Sequence, residues 1–340
     1  MGRIRALVPA LATVLGLMAG VAPAGTASAA TATVQTPAAT APAPAGTAAY
    51  KVWHWNVSGH EVDRGATTNG LVDAVLASVQ QQNPDFISLN EICPNQYTAV
   101  LKGLQKAGWP NQDAMTNFAR FEPVPEANAD LCGDDPTGQP DADPYGVALF
   151  SRFKPSGTDR ITLPFDGEKE RKLLCVPIAQ LTGGPNGLRF CTTHITYHFA
   201  HEQAQLDVVR SRMEQWTLDG GTVITAGDFN VQPHEDKLNG WYAPSADTTH
   251  NGGNSGMFRE LDDLDPVCPG WGEQTTEGGL GGLCGQRGKV DLIFAAESRL
   301  ASYDADAHPI GPDRCKNGSQ QLVRCSNHRI TTATATVHTP

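Results

Sequence analysis

The stretch Thr225-Ala226-Gly227-Asp228-Phe229-Asn230 decides how this chain reads, because it sets a carboxylate and an amide at the end of an apolar strand over residues 223–226. Side chains two apart on an extended segment point the same way, so Asp228 and Asn230 are expected on one side with Phe229 turned toward the core. An Asx-turn that merely closes the strand is the plainer reading of so short a motif. Three further strings raise the chemical reading above it: Leu89-Asn90-Glu91 after a strand over 86–88, Lys289-Val290-Asp291-Leu292-Ile293-Phe294, and Ser326-Asn327-His328-Arg329 near the C-terminus. Together they offer the carboxylates, amides and imidazole that phosphate and metal chemistry needs.

Bulk features place these strings in an exported chain. Residues 1–29 have the layout of a secretory signal, with Arg3 and Arg5, an apolar run over 6–22 and Ala27-Ser28-Ala29 as a small-residue cleavage site. The run is short for a membrane span of about 20 residues, and no later segment is long and apolar enough to be one. Residues 30–48 are almost entirely Ala, Thr and Pro, a composition expected to stay disordered as a leader. One α/β domain is then expected over 49–340.

Eight cysteines in such a chain argue for disulfides over metal thiolates, since no C-x-x-C pair is present. Spacing alone leaves the connectivity open. Pairing sequence neighbours would join Cys93 to Cys132, Cys175 to Cys191, Cys268 to Cys284 and Cys315 to Cys325. The second of these has the best support, because 173–180 and 188–194 read as the arms of a β-hairpin.

Without the signal the chain carries 23 basic against 36 acidic side chains. Much of the excess lies in residues 122–143, which hold seven acidic and no basic residues. A nucleic-acid binder usually shows a basic stripe, and none is evident here, so long-range attraction to DNA should be weak unless divalent ions screen the charge.

Hydrophobic periodicity places strands over 52–57, 86–88, 146–151, 173–180, 188–194, 223–226, 290–294 and 330–337, with helices over 71–79, 95–107 and 202–216. Mixed elements in this number suit two packed sheets with helices outside. In chain order, Trp55-Asn56-Val57, Leu89-Asn90-Glu91, Cys191-Thr192-Thr193-His194, Gly227 to Asn230, Lys289 to Asp291 and Ser326-Asn327-His328 resemble the motifs of the endonuclease/exonuclease/phosphatase superfamily, over about residues 51–338. The resemblance implies a deoxyribonuclease I-like, four-layered α/β/β/α sandwich in a secreted, bacterial-type member. One position departs: the family's Asp before its last His is Asn327 here.

A phosphodiester's negative charge repels nucleophiles, so its hydrolysis needs a cation on the phosphoryl oxygens and an activated water. Glu91 is a hard oxygen ligand suited to Mg²⁺, or to Mn²⁺ or Ca²⁺, and the resemblance adds Asn56 at the metal site. His328 titrates near neutral pH and is expected to activate water, with Asp291 as the carboxylate that fixes its tautomer. By the same resemblance Asp228 and Asn230 hold the water and a phosphoryl oxygen. His194 is expected to donate to a phosphoryl oxygen or to protonate the leaving group, with Asp143 orienting it.

Arg171 falls where some relatives carry a phosphate-binding Arg, although Glu170-Arg171-Lys172 reads more readily as a solvated loop. His198 and His201 follow His194 closely enough to raise a zinc site as a minor reading. Replacing the family Asp by Asn327 removes a charge and puts metal affinity in doubt. The leading expectation is a secreted, Mg²⁺-dependent phosphodiesterase, an extracellular nuclease, that works as a monomer without a stable protein partner. A phosphatase or sphingomyelinase-like phospholipase and a catalytically silent binding module are the alternatives.

Overall fold

The computed structural model describes residues 46–339 except 60–61, 63, 111–117, 126–131, 133–143, 182–186, 313 and 318. The expected signal, the leader up to residue 45, most of the acidic stretch and Asp143 lie outside the described residues.

In chain order the elements are β1 (Thr47–Asn56), α1 (Leu71–Gln82), β2 (Phe86–Ile92), α2 (Pro94–Lys106), β3 (Ala119–Pro123), β4 (Gly146–Ser151), β5 (Asp159–Thr162), β6 (Lys172–Ile178) and β7 (Leu188–His194). They continue with α3 (Phe199–Leu218), β8 (Thr222–Asp228), β9 (Phe258–Glu260), β10 (Asp291–Ala296), β11 (Leu300–His308), the short pair β12 (Cys315–Lys316) and β13 (Leu322–Val323), and β14 (Ile330–His338). Two six-stranded sheets result, ordered β11-β14-β1-β2-β4-β3 and β5-β6-β7-β8-β10-β9. β1 begins two residues before the expected domain start at 49, because Thr47 and Ala48 already pair with His338 and Val337 of β14.

Alternation along the strands builds the layers. On β1, Trp53 and Trp55 pack with Leu71, Val75 and Val79 of α1 and with Val100 and Leu104 of α2. On the second sheet, Cys175, Cys191, Val223, Leu292 and Phe294 pack against Leu206, Val209 and Met213 of α3. The opposite faces meet each other: Tyr50, Val52, Phe86, Val147 and Leu149 of one sheet pack against Leu174, Val176, Phe190, Ile224 and Ile293 of the other. The architecture is therefore the expected four-layered α/β/β/α sandwich.

Parallel pairs set the geometry of the site. β1 runs parallel to β2, bringing Asn56 opposite Asn90, and β7 runs parallel to β8, bringing His194 opposite Asp228. β10 is antiparallel to β8 and starts where β8 ends, with Asp291 opposite Asp228. Five strand ends thus converge at one end of the layer between the sheets. Gly227 permits the closeness, since a Cβ there would sit 2.1 Å from the Thr193 carbonyl oxygen.

All four neighbour pairings of cysteine form disulfides: Cys93–Cys132, Cys175–Cys191, Cys268–Cys284 and Cys315–Cys325. Cys175 and Cys191 lie directly opposite each other in the β6/β7 hairpin. Bridges of this kind fit an extracellular protein. Among the described residues, no helix is long and apolar enough to cross a membrane.

Candidate active site

The period-2 rule that fills the layer between the sheets with apolar side chains also builds the site. Continuing the inward face of β1 from Tyr50 and Val52 gives His54 and Asn56; continuing β2 from Phe86 gives Ser88 and Asn90. Thr192 and His194 follow Phe190 on β7, and Asp228 follows Ala226 on β8. All seven of these polar residues are buried.

Within the site, His328 and Asp291 form the shortest charged contact. Nδ1 of His328 lies 2.7 Å from Asp291 Oδ2, and its Nε2 lies 3.8 Å from Asp228 Oδ2. The loop carrying His328 is tied to β1: Ser326 Oγ donates to the Asn56 carbonyl at 2.6 Å, and Trp55 Nε1 donates to the His328 carbonyl at 3.0 Å. The Cys315–Cys325 bridge closes the chain just ahead of it.

Asn56 reaches Glu91, the expected metal ligand, through its amide. Its Nδ2 donates to both Asp228 Oδ2 at 2.9 Å and Glu91 Oε1 at 3.3 Å, while its Oδ1 accepts from the Ser58 backbone N–H at 3.1 Å. Carboxylates only accept and an N–H only donates, so these partners fix the amide's orientation. Asn56 bridges the two carboxylates and so positions both.

Glu91 sits in the left-handed region, φ 55°, where the β2/β4 register shifts between Leu89 and Ile92. Such a bulge re-aims a side chain, and here it presents the carboxylate to the cleft, with Oε1 3.8 Å from His194 Nε2. Asn230 is also left-handed, φ 50°, so the extended geometry expected through it ends at Asp228. Its backbone N–H donates to Asp228 Oδ1 at 2.9 Å, which is the Asx-turn, and its Nδ2 donates to the Ile195 carbonyl at 2.8 Å. The turn and the chemical site coexist, for Asp228 and Asn230 both line the cleft. Phe229 points into the core, edge-on to Trp241 and Phe294.

The cleft has a volume of about 370 Å³ and is lined by Glu91, Tyr145, Lys169, Arg171, His194, Tyr197, Asp228, Asn230, Asn327 and His328. A larger hollow of about 410 Å³ between α1 and α2 is lined by Leu76, Val79, Leu104 and Trp109 and holds no such set. Arg171 is buried, against the solvated-loop reading: the cleft supplies the polar surroundings its charge needs. Its Nε is 3.8 Å from Asp166 Oδ2, and neither Nε nor Nη1 has a hydrogen-bond partner among the described residues. Lys169 Nζ stands 5.5 Å from the ring of Tyr145 and 5.9 Å from that of Tyr197.

The histidines proposed for zinc do not assemble. His198 precedes the first turn of α3 and pairs with Glu168 at 3.3 Å, and His201 is exposed on that helix. Among the described residues, two clusters have metal-ligand spacing: Asp228, Asp291 and His328, and His250 with Cys268 and Cys284. The two cysteines of the second are bridged and offer no thiolate.

Charge in the cleft is shared unequally. Burial raises the Asp228 carboxyl and the neighbouring Asp291 charge adds to it, to about 7 despite the opposing pull of His328. Burial alone would lower His328, but the carboxylates of Asp291, Asp228 and Glu91 override it and hold the imidazolium up to about 10. Burial would raise Asp291, yet the His328 and His54 contacts keep it well below the usual carboxylate range. Burial, reinforced by Arg171, keeps His194 well below 6.5 and therefore neutral, so it donates a hydrogen bond and is a poor source of a proton for a leaving group. The raised values of Asp228 and His328 mark a carboxylate cluster short of positive charge, and the hard oxygens of Glu91 and Asp228 fit a small divalent cation.

Sequence reasoning missed His54, Ser88, Thr192, Tyr145, Lys169 and Tyr197. The first three were readable by counting back in twos from Asn56, Asn90 and His194. Tyr145 and Lys169 come from irregular chain, where no periodicity points anywhere.

Residues 53–328 match the model of the Endonuclease/Exonuclease/phosphatase family. No curated protein sequence matches the chain significantly. Among solved structures, truncated TDP2 of Caenorhabditis elegans is similar over 86% of this chain and 98% of its own, with 17% identity and a TM-score of 0.53. An endonuclease/exonuclease/phosphatase family protein of Bacteroides thetaiotaomicron covers the same shares at 11% identity and a TM-score of 0.53. One from Beutenbergia cavernae covers 86% of this chain and 72% of its own, with 16% identity and a TM-score of 0.51. These likenesses establish the fold, and with the family match over most of the chain they place it: this chain belongs to the Endonuclease/Exonuclease/phosphatase family, whose members are hydrolytic phosphoesterases.

Proposed function

We propose that the protein is a secreted, Mg²⁺-dependent phosphodiesterase that cleaves nucleic acid outside the cell. The observation that carries this reading is the His328–Asp291 pair, 2.7 Å apart, with the free His328 nitrogen facing Asp228 across the cleft. Asp291 holds the ring with Nδ1 protonated, so Nε2 is the atom that would take a proton from water once a bound cation had lowered the raised imidazolium. Asp228 and Asn230 hold that water and a phosphoryl oxygen. His194 and Arg171 donate to the phosphoryl group, the latter with buried N–H groups that have no hydrogen-bond partner among the described residues. Glu91, with Asp228 beside it, is the ligand set for Mg²⁺, Mn²⁺ or Ca²⁺. When bound, such an ion neutralises phosphoryl charge and lowers the pKa of water.

Nucleic acid suits the rim. Tyr197, 55% exposed, lines the cleft with Lys169 near its ring, and Phe199, 76% exposed, follows two residues on. Exposed rings interleaved with cations are what stacked bases and their phosphates require, and stacking relieves an acidic protein of the need for long-range attraction. A lipid substrate has less support, since Trp271, the aromatic in the Cys268–Cys284 segment, is fully buried. The acidic balance keeps a small-phosphoester phosphatase as the second reading. The complete set Asn56, Glu91, Asp228, Asn230, Asp291 and His328 weighs against a silent module.

A panel of plasmid DNA, RNA, sphingomyelin and an inositol phosphate, each with Mg²⁺ and with chelator, tests the reading. Mg²⁺-dependent cleavage of DNA or RNA is expected. Turnover of sphingomyelin or inositol phosphate alone would replace it, and no turnover of any would end it.

A further inference from the structure

The scheme above leaves one fully buried imidazole unused. His54 lies on the inward face of β1, two residues before Asn56, and its Nε2 is 3.1 Å from Asp291 Oδ1, the oxygen that His328 does not use. Its Nδ1 lies 2.8 Å from Ser88 Oγ, which is 2.7 Å from Thr192 Oγ1. Asn90 Nδ2 donates to Thr192 Oγ1 at 3.2 Å, and Asn90 Oδ1 accepts from the Asp228 backbone N–H at 2.8 Å.

Counting protons gives this chain a direction. Asp291 only accepts, so a neutral His54 ring carries its proton on Nε2 and accepts at Nδ1; Ser88 then donates to His54 and takes the Thr192 proton. The other acceptor within reach of Ser88, the Ala226 carbonyl, is farther, at 3.5 Å against 2.8 Å to the ring. With this one neutral tautomer every member is satisfied, and the donors run one way, from the Asp228 backbone through Asn90, Thr192, Ser88 and His54 to Asp291. The chain crosses between the sheets four times and ends on the carboxylate that holds His328. A buried polar network satisfied throughout rigidifies what it touches.

We infer that His54 is a positioning residue. By occupying Asp291 Oδ1 it leaves Oδ2 alone to receive His328 Nδ1, and so fixes the angle at which the His328 ring enters the cleft. The inference rests on the reading of His328 as the group that works on the water.

The test uses the full chain and bis(p-nitrophenyl) phosphate with Mg²⁺. His54→Phe fills the space without a donor. It should lower kcat about 100-fold, the cost of a misplaced catalytic group, with KM nearly unchanged. His54→Gln, whose amide N–H reaches toward the Nε2 position, should recover most of that loss. A second readout needs no turnover: the proton resonance of His328 Nδ1–H in the metal-free protein should exchange slowly in the wild type, vanish in His54→Phe and return in His54→Gln.

Wild-type kcat in His54→Phe, a Gln variant no better than Phe when both are folded, or an unchanged His328 resonance would each overturn the inference. Should His54→Phe fail to fold, Ser88→Ala removes only the hydroxyl behind the ring. It should cost about 3-fold to 10-fold in kcat, the worth of one hydrogen bond, and an unchanged kcat and resonance would overturn the inference equally. If the wild type hydrolyses none of the phosphoesters tried, the proposed function fails, while the resonance still decides the role of His54.

Discussion

The layer between the two sheets has two unlike ends built from the same strands and the same face. At one end lie Tyr50, Val52, Phe86, Phe190, Ile224 and Ala226; two to four residues further along, β1, β2, β7 and β8 carry His54, Asn56, Ser88, Asn90, Thr192, His194 and Asp228. The apolar end is held by area removed from water and is indifferent to small rotations. The polar end holds only because each group meets a partner at a particular distance, and an unmet one would carry its full desolvation cost. The apolar half therefore fixes the spacing of the sheets, and the polar half uses that spacing to hold a carboxylate cluster rigid. A change at one end should alter stability, and a change at the other should alter chemistry.

The largest effect is expected at the polar end. His328→Ala removes the proposed base and no core side chain, and should lower turnover about 100-fold or more with the melting transition preserved. Asp291→Asn should do nearly as much, because the amide can no longer accept from both His328 and His54 as a charge. Phosphodiester turnover and calorimetric melting of each purified variant check both statements.

Phe190→Ala probes the opposite end, where the ring stacks on Phe86 with centroids 4.8 Å apart. A cavity there should cost about 3–5 kcal/mol of stability while the folded fraction keeps the wild-type kcat. Denaturant titration combined with kinetics at low temperature separates the two quantities. A large fall in kcat at full folding would show that the ends are not independent.

Next comes the proton held in the cleft. With no cation, His328 is held up to about 10 and Asp228 up to about 7 by the local excess of negative charge. A divalent ion beside Glu91 opposes both shifts, so at pH 8, where His328 is still protonated, Mg²⁺ should displace up to about one proton. Titration in weak buffer measures the release, and His328→Ala should change it, since the proton then left to displace is that of Asp228, whose carboxyl rises further without the His328 charge.

The smallest effect concerns Asn327, which is exposed and accepts from Ser58 Oγ through its side-chain oxygen. A charge there meets little desolvation cost, so Asn327→Asp should fold normally and lower the Mg²⁺ concentration for half-maximal activity, with a smaller change at saturating metal. An unchanged midpoint would show that position 327 does not govern the metal.

What the sequence revealed follows the same contrast. Every interior strand, β14, β1, β2 and β4 in one sheet and β6, β7, β8 and β10 in the other, announces itself by an apolar run or by alternation. Of the six strands that periodicity does not find, β3, β5, β9 and β11 are the four edges of the two large sheets, and β12 and β13 form the short separate pair. An edge strand buries little, and β11, Leu-Ala-Ser-Tyr-Asp-Ala-Asp-Ala-His, carries acids where an interior strand would carry Val or Ile. The motif residues were legible because each closes a strand.

Arg171 was misleading for a physical reason: flanked by Glu170 and Lys172 it resembles a solvated turn, and only the tertiary cleft turns it inward. His54, between Trp53 and Trp55, was not singled out, although alternation back from Asn56 puts it on the inward face. Asn230 broke the extended geometry because Asn tolerates the left-handed backbone that a tight Asx-turn requires.

On the proposed reading, the polar end of the layer is a metal-assisted phosphodiesterase site with Glu91 as the ligand that matters. Hydrolysis of bis(p-nitrophenyl) phosphate as a function of Mg²⁺, after removal of metal with chelator, tests it most directly in the wild type and in Glu91→Gln. The account predicts no turnover without metal, recovery on adding Mg²⁺, and a midpoint at least about 10-fold higher in Glu91→Gln, since one of only one or two carboxylate ligands has lost its charge. Turnover that survives the chelator, or a Glu91→Gln protein that titrates like the wild type, would contradict it.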